Sequence, residues 1–177
     1  MVRPVSAAAG LYGSCMNASS PHHWEQAGDQ IVRRLKSLAD DLERDLGNEV
    51  RVERQRIFSG GVTLTPTRDD ALAVSWIDLG TELQVQTASG FGGRFELSRT
   101  ERDVDFIEAI VRSVVAGRVV EVFAPRRSRV TITLADGTTE VETGYDGLTG
   151  CLPLPMWPRW GRTVRYSPYG PIGRGGA

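Results

Sequence analysis

The sequence predicts an α+β fold, an antiparallel sheet of about six to seven strands with two helices packed on one face, in the order α-ββββ-α-ββ(β). Three observations predict it. A helix-period hydrophobic segment over residues 20–46 comes first. Four strand-period segments then fill residues 50–99, separated by loops of two to five residues that favour an antiparallel meander. A second helix-period segment, 100–116, is followed by strands again over 119–145.

Ser20-Pro21 opens the first helix with a capping oxygen and a proline placed where its missing N–H costs nothing. Trp24, Ile31, Leu35, Leu38, Leu42 and Leu46 form one stripe, while Asp29, Arg33, Lys36, Asp40, Glu43 and Arg44 form the solvated face. Gly47 and Asn48 end it. This stripe covers the sheet, or serves as the seam of a homodimer.

The first strand spans Glu49 to Phe58, and the polarity of Arg54-Gln55-Arg56 suits a sheet edge. Gly60-Gly61 turns the chain into Val62-Thr63-Leu64-Thr65, and Pro66 to Asp70 reads as a turn. Leu72, Val74 and Trp76 then share a face. Gly80 breaks that run, Leu83, Val85 and Thr87 resume the alternation, and Phe95 and Leu97 close the set.

Thr100 with Asp103 approximates a capping box ahead of the stripe Val104, Ile107, Val111, Val114 and Val115, widened by Phe106 and Ile110 and stopped by Gly117. Val119 to Phe123 is the next strand. Val130, Ile132 and Leu134 lead through the hairpin signal Ala135-Asp136-Gly137 to Val141, Thr143 and Tyr145. The expected interior comprises Trp24, Leu35, Leu42, Val62, Leu64, Leu72, Val74, Trp76, Val85, Phe95, Ile107, Val111, Val122, Ile132 and Val141.

The character changes after Gly144. From Cys151 to Ala177 there is no acidic residue, but four arginines, two tryptophans, two tyrosines and five prolines. Pro153, Pro155 and Pro158 forbid a regular helix, and Thr163 to Tyr166 can add a short edge strand. The expected organisation is a disordered leader over 1–19, one domain over 20–166 and a flexible tail over 167–177. The apolar run Val5 to Tyr12 is too short and too rich in alanine for a signal, and Met16 is an alternative start.

The formal net charge of −1 opposes a whole-domain attraction to nucleic acid or an acidic membrane. Twenty of the 21 basic residues are arginine, as codon bias would produce; the alternative is a preference for planar, bidentate carboxylate or phosphate contacts. Two cysteines, Cys15 and Cys151, are too few for a disulfide framework, so a reducing, cytoplasmic setting is expected. No run is long enough to span a membrane.

Several residues invite a chemical reading and have a plainer one. His22 and His23 lie beside the first cap, and no Cys or His cluster joins them, so no metal or other cofactor is expected. With no histidine in the folded middle, a serine or cysteine triad is disfavoured, and an enzyme is the weaker expectation. Cys151 has no visible activating base. Ser89-Gly90-Phe91-Gly92-Gly93 lacks the lysine and following helix of a phosphate loop, and reads as a flexible hairpin exposing Phe91. Asp69-Asp70 belongs to a turn, and Asp103 with Asp105 to a first helical turn. Arg126-Arg127-Ser128-Arg129 reads as a solvated face.

The better functional candidate is Met156-Trp157-Pro158-Arg159-Trp160-Gly161-Arg162, because tryptophan and arginine are enriched at binding hot spots. Trp157, beside Met156 and the run Leu152 to Leu154, is expected to be buried, and Trp160 to be the exposed anchor. The element order resembles that of small helix–sheet proteins that bind other polypeptides, secretion chaperones and toxin-immunity proteins among them. That resemblance implies a non-enzymatic protein-binding module. From the residues, its contact surface is Arg54, Arg56, Arg159, Trp160, Arg162 and Arg165, facing an acidic protein partner rather than nucleic acid. The alternative is a small apolar ligand held between sheet and helix.

Overall fold

A computed structural model describes residues 29–55 and 60–170. Helix α1, Gln30–Leu46, is capped by Asp29, whose carboxylate accepts the Ile31 N–H at 3.0 Å. Ile31, Leu35, Leu38 and Leu42 are buried by the chain's own core, which leaves this stripe no room to act as a dimer seam. The opening at Ser20-Pro21 and the core assignment of Trp24 lie outside the described residues.

The meander holds five strands rather than four: β1 Val50–Gln55, β2 Gly60–Pro66, β3 Val74–Asp78, β4 Glu82–Gln86 and β5 Arg94–Ser98, paired antiparallel in that order. The extra strand comes from Gly80. At φ +91° it completes a hairpin whose Gly80 N–H donates to Asp78 at 2.8 Å, so the interrupted run becomes two paired strands. β1 is an edge, as its polarity predicts.

Helix α2, Glu101–Val115, starts where expected, with the Thr100 side chain accepting the Asp103 N–H. After it come β6 Val119–Ala124, β7 Arg127–Thr133, β8 Thr139–Tyr145, the helical turns α3 Gly147–Gly150 and α4 Trp157–Trp160, and β9 Arg162–Arg165. These last strands do not extend the first sheet. They form a second antiparallel sheet, ordered β8-β7-β6-β9, which corrects the expectation of one sheet with six to seven strands. The wide apolar surface of α2 explains the split. Val104, Ile107, Ile110, Val111 and Val114 are all fully buried, and the helix packs against β3 of one sheet and β7 of the other.

One core joins both sheets and both long helices. Arg99 ties its corners together, pairing with Asp78 at 2.9 Å and with the α1 cap Asp29. Two expected core residues are misplaced. Val122 is only partly buried and Val141 is 40% exposed, because the strand parity turns Val119, Glu121, Val130 and Ile132 inward instead.

The chain also stays packed beyond residue 166, where the flexible tail was expected to begin. Ser167 donates its N–H to the Asp70 carbonyl at 2.9 Å, and its hydroxyl to the Asp70 carboxylate at 2.7 Å. Tyr169 is fully buried and donates to the Leu72 carbonyl at 2.6 Å. No helix of the described residues is long and apolar enough to cross a membrane.

Candidate partner-binding surface

Arg127 is a central contact of the segment after β8. This residue is 3% exposed, which overturns its assignment to a solvated face. Its guanidinium carbon lies 5.5 Å from the Tyr145 ring centroid and 6.0 Å from that of Trp157. Its Nη2 donates to the Leu152 carbonyl at 2.7 Å. A desolvated cation on aromatic faces contributes up to about 2 kcal/mol, and the carbonyl adds a charge-assisted bond.

Pinned in this way, the segment turns its apolar side chains outward. Tyr145, Leu148, Leu152, Met156 and Trp160 are five of the seven large exposed hydrophobics among the described residues. Met156 adopts a left-handed φ of +53°, a conformation few residues with a side chain accept, just before α4. Trp157 is buried and Trp160 is 56% exposed, as the flanking residues predict. The Trp160 indole N–H donates to the Pro155 carbonyl at 3.2 Å, which fixes the ring and leaves it facing solvent.

The six residues expected to form one contact surface separate. Arg54 projects toward α1 and pairs with Asp40 and Glu43, both at 2.7 Å, so its charge is used within the chain. Arg56 lies outside the described residues. Arg159 and Trp160 sit together on α4, both exposed. Arg162 and Arg165, three apart on β9, point to opposite faces of the second sheet. Arg162 stacks over Phe123 at 4.6 Å and borders a cleft, whereas Arg165 lies on the far side.

That cleft, about 340 Å³, opens between the two sheets, with Ala71 to Ala73 on one wall and Phe123, Val164 and Tyr166 on the other. At its edge lies Glu121, a fully buried carboxylate in the middle of β6. It accepts from the Gly90 N–H at 3.0 Å, the Ser89 N–H at 3.2 Å, the Ser89 hydroxyl at 3.1 Å and the Tyr166 hydroxyl at 2.7 Å. Burial first, and then the Glu121 carboxylate, push the Tyr166 hydroxyl up to about 12.

The Ser89–Gly93 loop is therefore a clasp rather than a flexible hairpin. The Gly92 N–H donates to Ser128 Oγ at 2.8 Å. A Cβ on Gly144 would sit 1.6 Å from the Phe91 carbonyl, so the two backbones meet only because no side chain intervenes. Phe91 itself is exposed, as expected. The signal missed in the sequence is the glutamate inside Val119-Val120-Glu121-Val122-Phe123.

The remaining candidates have structural partners. Asp70 is held well below the usual carboxylate range by Arg68, and then by Ser167. Asp103 lies in the first turn of α2 and accepts the hydroxyl of the Thr100 cap at 2.6 Å, and Asp105 shares Arg34 with Glu101 and Glu108. Cys151 is an exposed free thiol, and His22 and His23 lie outside the described residues. Among the described residues no group of three His, Cys, Asp or Glu side chains is placed to hold a metal ion. No protein-family model, no curated protein and no solved structure matches this chain.

Proposed function

We propose that this chain is a protein-binding module whose contact surface is the ridge from Tyr145 to Trp160. The observation that carries the reading is the concentration of exposed Tyr145, Leu148, Leu152, Met156 and Trp160 on a segment pinned by a buried arginine. Concentrated exposed apolar side chains on a soluble protein mark an interaction site, and a rigid one loses less entropy on binding. Arg159 beside Trp160 supplies the residue pair enriched at hot spots and favours an acidic partner. A second reading, a small ligand in the cleft between the two sheets, draws on its volume of about 340 Å³. That lies at the low end for ligand sites.

Affinity purification from the native host tests the first reading, with the wild-type chain compared against a Leu152→Ser, Met156→Ser, Trp160→Ser variant. A specific protein recovered by the wild type and lost by the variant is the expected result. Equal recovery of the same proteins by both would remove the ridge from the interface.

A further inference from the structure

Beside the ridge lies a surface that the ridge covers only at its Val122 end. Antiparallel strands with one solvated face alternate apolar and polar residues, whereas strands buried on both faces read as nearly continuous apolar runs. β6, a central strand of the second sheet, reads Val119-Val120-Glu121-Val122-Phe123-Ala124, the second kind. Its inner face is packed in the core. Val120 and Val122 point outward.

The pairing builds two rows on that outer face. Val120 stands between Arg165 and Thr131, with Val141 beyond; Val122 stands between Thr163 and Arg129, with Thr143 beyond. The carboxylates of these strands, Glu121, Glu140 and Glu142, all project to the opposite face. Arg129 and Arg165 have no carboxylate partner among the described residues. α4 reaches the Val122 end through Gly161, and Val141 remains 40% exposed.

We infer that this face seats an amphipathic helix of a partner protein, whose apolar stripe covers Val120, Val122 and Val141 and whose flanking carboxylates meet Arg129 and Arg165. The inference rests on the protein-binding reading and names the partner's chemistry. Dimensions agree: four strands spaced about 4.8 Å apart span about 14 Å, against a helix diameter of about 10–12 Å. Charge selects an acidic occupant, because carboxylates approaching here meet two arginines and no competing acid. The described residues of a second copy do not offer one, because the apolar stripes of α1 and α2 are buried in their own core. On α1, Asp40 and Glu43 are taken by Arg54 and Asp41 by Arg44, and on α2 Glu101, Asp105 and Glu108 are taken by Arg34.

The test uses the full chain, methyl-labelled for NMR, and a synthetic amphipathic helix of about 18 residues with a leucine stripe flanked by glutamates. Its twin carries lysines in place of the glutamates. The glutamate peptide is expected to shift the Val120, Val122 and Val141 methyls, and to bind at least about tenfold more tightly than the lysine twin. Arg129→Glu with Arg165→Glu should reverse that preference. Val141→Asp should abolish binding, and Val141→Thr, which keeps the strand's shape, should weaken it if the aspartate variant fails to fold. Shifts confined to Leu148, Leu152 and Met156 would overturn the helix seat and leave the ridge standing. No shift at either place, or equal affinity for both peptides, overturns the seat, with the ridge judged separately by the purification above. Concentration-dependent dimerisation through Val141 in sedimentation would assign the face to a second copy and also overturn it.

Discussion

On the five-stranded sheet the outward positions include Arg51, Glu53, Gln55, Thr63, Ser75, Gln84, Gln86, Arg94 and Glu96 with a single large aliphatic, the half-buried Ile77, while on the four-stranded sheet they include Val120, Val122, Val141, Thr131 and Thr143 with Arg127, Arg129, Tyr145 and Arg165. The first face settles its charges locally, with Arg51 on Glu53 and Arg94 on Glu96, each at 2.9 Å. The second has Val141 exposed, Val120 and Val122 half-buried with Gly161 against Val122, and two cations, Arg129 and Arg165, without carboxylate partners among the described residues. Its inner face shows the reverse, holding Glu121 and Ser128 fully buried where the first sheet holds Leu64, Val85 and Leu83. Two sheets with the same antiparallel pairing thus differ in what each face is built to meet, and the side chains rather than the backbone make that difference.

The largest effect expected lies at the rim of the second sheet. Trp157→Ala should lose about 3–5 kcal/mol, the range for emptying a buried aromatic site. Trp160→Ala should stay within about 0.5 kcal/mol, as surface changes do. Chemical denaturation of both single variants checks the pair. Equal losses would mean that the ridge is structural throughout, and the contrast between a packed tryptophan and a presented one would dissolve.

Next comes the inner face. Glu121→Gln places an amide N–H₂ among donors from Ser89, Gly90 and Tyr166, and should cost about 1–3 kcal/mol for the unmet groups. Glu142→Gln, on the partly exposed part of the same face, should change stability by no more than about 0.5 kcal/mol. Hydrogen exchange of the Ser89 and Gly90 amides should accelerate in the first variant alone.

The comparison of outer faces is sharpened by trading their chemistry. Val120→Thr with Val141→Thr should leave the melting temperature nearly unchanged, within about 0.5 kcal/mol for each substitution, while lowering the binding of an apolar dye. Ser75→Val with Gln84→Val should raise dye binding and self-association. A loss of about 2 kcal/mol or more in the threonine variant would show that the valine face supports the fold by itself.

The smallest effect concerns alkali. Because the Tyr166 hydroxyl titrates near 12 when folded and near 10 when unfolded, the folded state holds its proton longer. Its contribution is complete below about pH 10 and is lost as the pH rises through about 12. Tyr166→Phe should flatten that limb of the stability curve, measured by denaturation at several alkaline pH values. An unchanged slope would mean that neither burial nor Glu121 raises the Tyr166 hydroxyl.

Much of this was legible before any coordinates. The Thr100 cap, the Asp136-Gly137 hairpin, the β1 edge and the division between Trp157 and Trp160 depend on neighbours within a few residues, and local chemistry decides them. The candidate surface was only partly legible. Arg159 and Trp160 are exposed, as expected, but Arg54 looked free because the carboxylates that claim it, Asp40 and Glu43, sit on another element.

By itself, the sequence determined the element types and the positions of most turns, because backbone propensity, capping and hydrophobic period act over one turn of helix or two residues of strand. The tertiary structure decided that there are two sheets, and which parity of each strand faces the core. A period of two states that alternate residues share a side; it does not say which side. In β6 both sides carry valine, and its register with β7 puts Val119 and Glu121 beside the fully buried Ile132 and Val130. That places Val120 and Val122 on the outside and Glu121 within, where its burial is met by donors from Ser89, Gly90 and Tyr166 that only the folded chain brings within reach.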